Sequence, residues 1–324
     1  MTYDLRYSRI SRREALSVGT RIAIGYTALA LPILGYTQAV QPVLTRPIPR
    51  TKEALPVIGL GTAIIFDIGG DTAKRSERTQ VIHTLLDGGA RMVDTAPSYG
   101  TAESVVGDLL SAMKVRDRVF LATKVRADSN EVFAAQMKES LKRLRTDKLD
   151  LMQMHNVGFI NRSQFSAQLA IVRSLKEQGV YRYIGVTHSQ DQARANDRLI
   201  EILRTERLDF IQVNYSMAER SVEEKLLAVA AETGTAVLCN LPFARGALFR
   251  AVQGKAVPEW AKAEFDAPTW GQFFLKYLLT HEEINAVLPG TDKAEYMIDN
   301  LSAARTRLPN AAQRKRMLAF IGAV

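Results

Sequence analysis

From Leu55 onward the chain repeats one unit: a short apolar or β-branched run, a loop, and a longer stretch with apolar residues at helical spacing. Eight such runs lie near Val57 to Leu60, Arg91 to Asp94, Val119 to Lys124, Leu149 to His155, Tyr183 to Thr187, Phe210 to Tyr215, Ala236 to Asn240 and Ala286 to Leu288. Between them, Phe133, Met137, Leu141 and Leu144 mark one predicted helix face, and Val222, Leu226, Val229 and Ala230 another. Strands joined through helices run parallel, and a parallel sheet needs cover on both faces or closure into a barrel. Eight units favour closure, so the predicted fold is α/β, a single (β/α)8 TIM barrel. A doubly wound open sheet is the alternative, but Gly59-Leu60-Gly61 runs on into Thr62, Ala63 and Ile64 without the third glycine of a dinucleotide-binding turn.

The first forty residues have a different pattern. Arg6, Arg9, Arg12 and Arg13 precede an apolar run from Ile22 to Leu34, and Thr37-Gln38-Ala39 supplies the small residues a signal peptidase reads. That run falls short of the roughly 20 residues needed to cross a bilayer as a helix, so no stable membrane span is expected in the mature form. Ser11-Arg12-Arg13-Glu14-Ala15-Leu16 resembles the twin-arginine export signal. The expectation is an export signal peptide over residues 1–39, handled by the twin-arginine machinery and cleaved after Ala39, with a periplasmic or exported product. An uncleaved N-terminal membrane anchor is the alternative. Thr45 to Lys52, bearing two prolines and polar residues, reads as part of a linker over 40–54 that leads into a barrel over 55–324.

The 324 residues, 47% of them hydrophobic and 24% charged, are those of a globular chain rather than a disordered, fibrous or multi-span membrane one. A formal net charge of +9 suits anionic ligands without implying nucleic acid, and none is expected as a partner. Cys239, the one cysteine, excludes an intramolecular disulfide and reads as core. Four histidines without close pairing give no zinc-ligand set, so no metal site is expected. Arg314, Lys315 and Arg316 read as the solvated face of a C-terminal helix. Trp260, Phe243, Phe249 and Phe66 fall in loops on the active-site side, where lining an apolar pocket and packing beneath long loops are equal readings.

In a (β/α)8 barrel the chemistry sits where strands end and loops begin. Here the second run ends in Asp94, the third in Lys124 and the fourth in His155. Tyr99 follows five residues after Asp94 in a loop whose Pro97 and Gly100 permit a turn that directs a phenol over the barrel mouth. Singly, each has a plain reading as cap, surface residue, core histidine or packing. Jointly, an acid, a base, a phenol and an imidazole at successive exits mark a candidate catalytic set.

At these residues the sequence resembles the aldo/keto reductase superfamily, from about Ile48 to the C-terminus. The likeness is carried by Leu55-Pro56-Val57-Ile58-Gly59-Leu60-Gly61-Thr62, the Asp94 to Gly100 segment, Thr123-Lys124, Met154-His155-Asn156, Ile184-Gly185-Val186-Thr187, and Pro289-Gly290-Thr291 with Asn300. The resemblance implies an NADP-dependent oxidoreductase that reduces an aldehyde or ketone, a small-molecule carbonyl substrate, to an alcohol, with Tyr99 as general acid. Asp94 would hold Lys124, and His155 would orient the carbonyl. Phenols ionise near pH 10, and a neighbouring ammonium favours the ionised form, which explains why such chemistry sets a lysine beside a tyrosine.

The resemblance also assigns cofactor residues. Gln212, Thr187 and His188 would bind the nicotinamide carboxamide, with Asn240 where an aromatic usually stacks on the ring. Pro242, Phe243, Arg245 and Gly246 would form the pyrophosphate loop, and Gly290, Thr291, Asp292, Asp299 and Asn300 the adenosine-phosphate segment. Tyr296 stands where an arginine or glutamine often contacts this end, and Lys293 is the nearby cation. NADPH is the implied cofactor, with NADH possible. The rival function is a cofactor-binding regulatory or redox-sensing protein of the same fold with little turnover.

Overall fold

The computed structural model describes residues 41–126 and 129–322; the export-signal reading of residues 1–39 lies outside the described residues. Eight parallel strands follow one another in chain order: β3 (Leu60–Gly61), β4 (Met92–Asp94), β5 (Phe120–Val125), β6 (Leu149–Met154), β7 (Tyr181–His188), β8 (Phe210–Asn214), β9 (Ala236–Asn240) and β10 (Ile284–Val287). Parallel bridges from Ile58 to Val287 and from Gly61 to Gly290 join the first strand region to the last. The sheet is thereby closed, and the fold is the (β/α)8 barrel that the alternating pattern predicts.

Period-two alternation divides the strand residues between two cores. Inside the barrel, Met92, Phe120, Leu151, Phe210 and Leu238 pack together, with Phe120 stacked on Tyr183 at 5.8 Å between ring centroids. Outside it, helices press their apolar faces on the sheet. Phe133 and Met137 of the helix Asn130–Arg143 are buried as predicted, with Leu141 partly buried beside them. The other predicted face is split: Leu226, Val229 and Ala230 lie on the helix Leu226–Thr233, whereas Val222 sits in a separate 3-10 turn, because the backbone leaves helical geometry at Lys225.

The stretch read as a linker is structured where it is described. β1 (Thr45–Pro47) and β2 (Ala54–Pro56) form an antiparallel hairpin, and Ile48 and Leu55 enter the inner core with no solvent exposure. Arg46 donates to the carbonyls of Leu279, His281 and Ile284, and Arg50 to those of Leu208 and Thr233. Glu53 pairs with Arg91 and Arg182. These partners sit where strands begin, so the hairpin caps the N-terminal end of the barrel. Prolines suit such a two-stranded ribbon, whose edges need no further ladder bonds.

One other reading changes, at Arg314, and the aromatic loop residues divide between the two roles expected of them. Arg314 does not face solvent: its guanidinium donates to Glu223 and to the Tyr215 hydroxyl and lies 4.1 Å from the Tyr277 ring centroid. Phe66 is fully buried core, and Trp260 packs against Phe265, Phe273 and Phe320 rather than lining a pocket. Cys239 is buried in β9, and burial raises its thiol pKa. Among the described residues, no helix is long and apolar enough to cross a membrane.

Candidate active site

The four strand-exit residues meet at the C-terminal end of the barrel. Lys124, on β5, reaches the last residue of β4: its ammonium is 2.5 Å from Asp94 Oδ2 and donates to the Thr95 carbonyl at 3.0 Å. The other carboxylate oxygen, Asp94 Oδ1, accepts from the side-chain amides of Gln153 and Gln212, each at 2.9 Å. Asp94, Lys124, Gln153 and Gln212 are all buried and together form a polar layer above the apolar interior. Burial alone would discharge Lys124. The Asp94 carboxylate and the Tyr99 phenol, by charge and by hydrogen bonding, outweigh that penalty and hold its pKa above the ordinary value.

Tyr99 leans over this layer. The Lys124 ammonium lies 4.8 Å from its ring centroid, and the His155 ring meets it edge-on at 6.4 Å. The turn that aims the phenol depends on Gly100, at φ +60°, where an added Cβ would fall within 2.4 Å of the Asp67 carboxylate. Asp67 in turn accepts from the Thr101 backbone and hydroxyl, both at 2.8 Å. His155 follows β6, its backbone N–H bonded to the Val125 carbonyl at 2.8 Å. Desolvation, then the positive charges of Lys124 and Arg126, push its pKa down to about 3, so the imidazole is neutral at physiological pH.

A cavity of about 640 Å3 opens over Asp94, Tyr99, His155 and Asn240. Of the remaining residues assigned to a cofactor, Pro242, Phe243, Arg245, Gly246 and Gly290 also line it. The backbone runs through left-handed geometry at Ala244, Arg245 and Gly246, which bends the loop back toward the mouth. Phe243, Phe249 and Gly290 also border a second cavity of about 530 Å3, which holds Asp299 and Asn300 at its other end. Thr269 and Gln272 fix the Asp299 carboxylate, and Asn300 donates to the Thr291 hydroxyl at 3.0 Å.

Some assigned residues stand elsewhere. His188 does not reach the cavity: its Nδ1 accepts from the Gly158 backbone, and its ring packs edge-on against Phe159 at 4.9 Å. Successive strand residues face opposite sides, so His188 cannot follow Thr187 into the same space. Thr187 and Gln212 are buried beneath the cavity wall, Thr187 bonded to the Asn156 backbone and Gln212 to Asp94. Asp292 lies outside both cavities' linings, with its carbonyl taken by Arg78.

Gln153 and Ser189 are polar residues of the site that the sequence reading misses, and Asn156 enters it only as part of the segment Met154-His155-Asn156, with no role. Gln153 is the register partner of Lys124, a placement that strand alternation from His155 could have revealed. Asn156 and Ser189 line the cavity, and the Ser189 backbone and hydroxyl donate to Asn156 Oδ1 at 2.9 and 3.0 Å.

A closed parallel barrel with an aspartate, a tyrosine, a lysine and a histidine gathered at its C-terminal mouth defines a class of barrel protein built for polar chemistry on a small ligand. The pattern of the aldo/keto reductase family matches residues 57–315, and the chain belongs to that family. It is 33% identical to the aldo-keto reductase YhdN of Bacillus subtilis over 205 residues, 59% of each protein. Over 322 residues, 82% of this chain and 94% of the relative, it is 25% identical to the NADH-specific methylglyoxal reductase of Escherichia coli. A Klebsiella pneumoniae aldo/keto reductase solved with NADP and acetate superposes with a TM-score of 0.66 at 25% identity, over 82% of this chain and 93% of that one.

Proposed function

We propose that the protein reduces an aldehyde or ketone to an alcohol with a nicotinamide dinucleotide, Tyr99 acting as the general acid. The observation that carries this reading is the contact of Tyr99 with a lysine whose charge is kept in a fully buried position by Asp94. Relatives named as a methylglyoxal reductase and as an NADP complex support the reaction class and the cofactor class.

The residues present fit such a cofactor. Asn240 Oδ1 is a buried acceptor without a partner among the described residues, on the wall of the catalytic cavity, and a carboxamide N–H would satisfy it. Arg245 and the left-handed turn around it suit a pyrophosphate, and the cavity bordered by Phe243, Trp270 and Asn300 suits an adenine. NADPH is the favoured form, with NADH admissible. When bound, the reduced dinucleotide supplies the hydride that the carbonyl carbon receives.

This chain's residues manage the proton. Neutral His155 donates a hydrogen bond that orients the carbonyl oxygen, and Tyr99 gives its phenolic proton to that oxygen as negative charge develops. The Lys124 ammonium stabilises the phenolate left behind. Asp94, fixed by two glutamine amides, keeps the ammonium aimed and charged.

Tyr99→Phe is expected to cut turnover at least about a hundredfold while leaving the circular-dichroism spectrum unchanged; an unaltered turnover number removes Tyr99 from this role. The broader test is consumption of added NADPH or NADH by the purified protein with a panel of aldehydes. Cofactor fluorescence that responds to binding yet never decays with any carbonyl would favour the regulatory alternative.

The proposal extends to location. Arg12-Arg13, the apolar run Ile22 to Leu34 and Thr37-Gln38-Ala39 support export by the twin-arginine route. An N-terminal residue of Val40 on protein recovered from the periplasm would bear this out, and an intact Met1 or a cytoplasmic product would refute it.

A further inference from the structure

The catalytic cavity has a polar neighbour with no function so far. A cavity of about 300 Å3 adjoins it, and His155 and Asn156 line both. Amides dominate its wall: Gln164 and Gln168 stand one turn apart on the helix Arg162–Glu177, and Gln190 closes another side. Arg126 supplies a guanidinium, and no aspartate or glutamate is among the described lining residues.

Arg126 is placed by strand periodicity. It lies two residues beyond Lys124, just past the end of β5, so it leaves the strand on the side of the catalytic lysine. Its backbone N–H is fixed by the Gln136 side chain at 2.7 Å, while its side chain is exposed and makes no ion pair with any described residue. Its charge is felt in the site, where it disfavours protonation of both His155 and His188. A second cation stands at the rim: the Arg194 guanidinium lies 5.3 Å from the ring centroid of Phe159, which is half-exposed and lines the same cavity.

A guanidinium without an ion-pair partner among the described residues, set in a wall of amides with no carboxylate among the described lining residues, matches a planar, two-oxygen anion. The geometry points to a substrate that carries a carboxylate remote from its carbonyl: an oxo acid whose acid end pairs with Arg126 in the amide-lined cavity while its carbonyl meets Tyr99 and His155. This assignment of substrate class rests on the carbonyl-reductase reading. The reaction is unchanged: the carbonyl carbon gains a hydride and its oxygen a proton, and the carboxylate neither gains nor loses a bond.

Steady-state kinetics with 6-oxohexanoate and hexanal, matched in length and differing in charge, test it on the full chain and on Arg126→Gln and Arg126→Lys. The wild type is expected to favour the acid at least about tenfold in kcat/KM, chiefly through KM, with Arg126→Gln bringing the ratio to within about twofold and Arg126→Lys retaining part of it. A ratio near one in the wild type, or one that Arg126→Gln leaves in place, overturns the assignment. Hexanoate, which cannot react, gives a readout independent of turnover. Titrated with oxidised cofactor present, it should raise the melting temperature of the wild type but not of Arg126→Gln, and hexanol should raise neither. If neither aldehyde is reduced, the reductase reading fails, and the hexanoate titration still decides the anion site: a rise abolished by Arg126→Gln upholds it and no rise overturns it.

Discussion

Two lysines of this barrel have essentially no solvent exposure, and their charges are treated in opposite ways. Lys124 ends against a carboxylate at 2.5 Å, whereas Lys276, on the helix Trp270–Leu279, ends against two neutral groups, the Thr306 hydroxyl at 2.7 Å and the Arg307 carbonyl at 2.8 Å. Desolvation acts on both. Around Lys124 it is overcome by Asp94 and Tyr99, and the pKa lies above the ordinary value. Around Lys276 it prevails over a more distant Asp266, with Arg307 adding repulsion, and the pKa falls to about 8. Depth of burial therefore does not decide a lysine's charge; the group at its tip does.

The strongest way to break this contrast is to remove the carboxylate. Asp94→Asn leaves Lys124 buried without a counter-charge and is expected to cost about 3–5 kcal/mol in denaturant unfolding. A loss below about 1 kcal/mol would mean that water or Tyr99 compensates the ammonium.

A smaller effect should appear at Lys276. Its folded pKa, about 8, lies below the ordinary 10.5. Between those values the unfolded chain keeps a proton that the folded chain has released, so stability rises with pH through that window. The gain is on the order of 3 kcal/mol. Lys276→Met should flatten the rise, which melting curves of both proteins between pH 7 and 10.5 would reveal; parallel curves would assign the window to other groups. Smallest of the three, Thr306→Val removes a hydroxyl that accepts from the ammonium. It should cost about 1 kcal/mol at pH 7 and move the start of the rise below pH 8.

The same contrast governs what could be read from the sequence. Asp94, Lys124 and His155 were legible as a group because each polar residue ends an apolar run, and barrel geometry brings strand ends together. Gln153 escaped because it lies inside its run, where an amide reads as an interruption rather than as the second ligand of a carboxylate. His188 stands apart from the cavity because adjacency to Thr187 in sequence is opposition across the sheet. The hairpin from Thr45 to Pro56 escaped for a different reason: Ile48 and Leu55 are buried only because a barrel end exists to receive them, which local composition cannot convey. Lys276 gave no signal at all, since its partners lie thirty residues away in Thr306 and Arg307.

That hairpin carries a consequence for biogenesis. Its Arg46 leaves the ribosome before any of its partners, for the carbonyls that hold it belong to Leu279, His281 and Ile284, more than 230 positions downstream. The stopper at the barrel's base therefore cannot lock until the last strand of the barrel has been synthesised, and a chain cut short before Leu279 would carry a loose plug and an open floor.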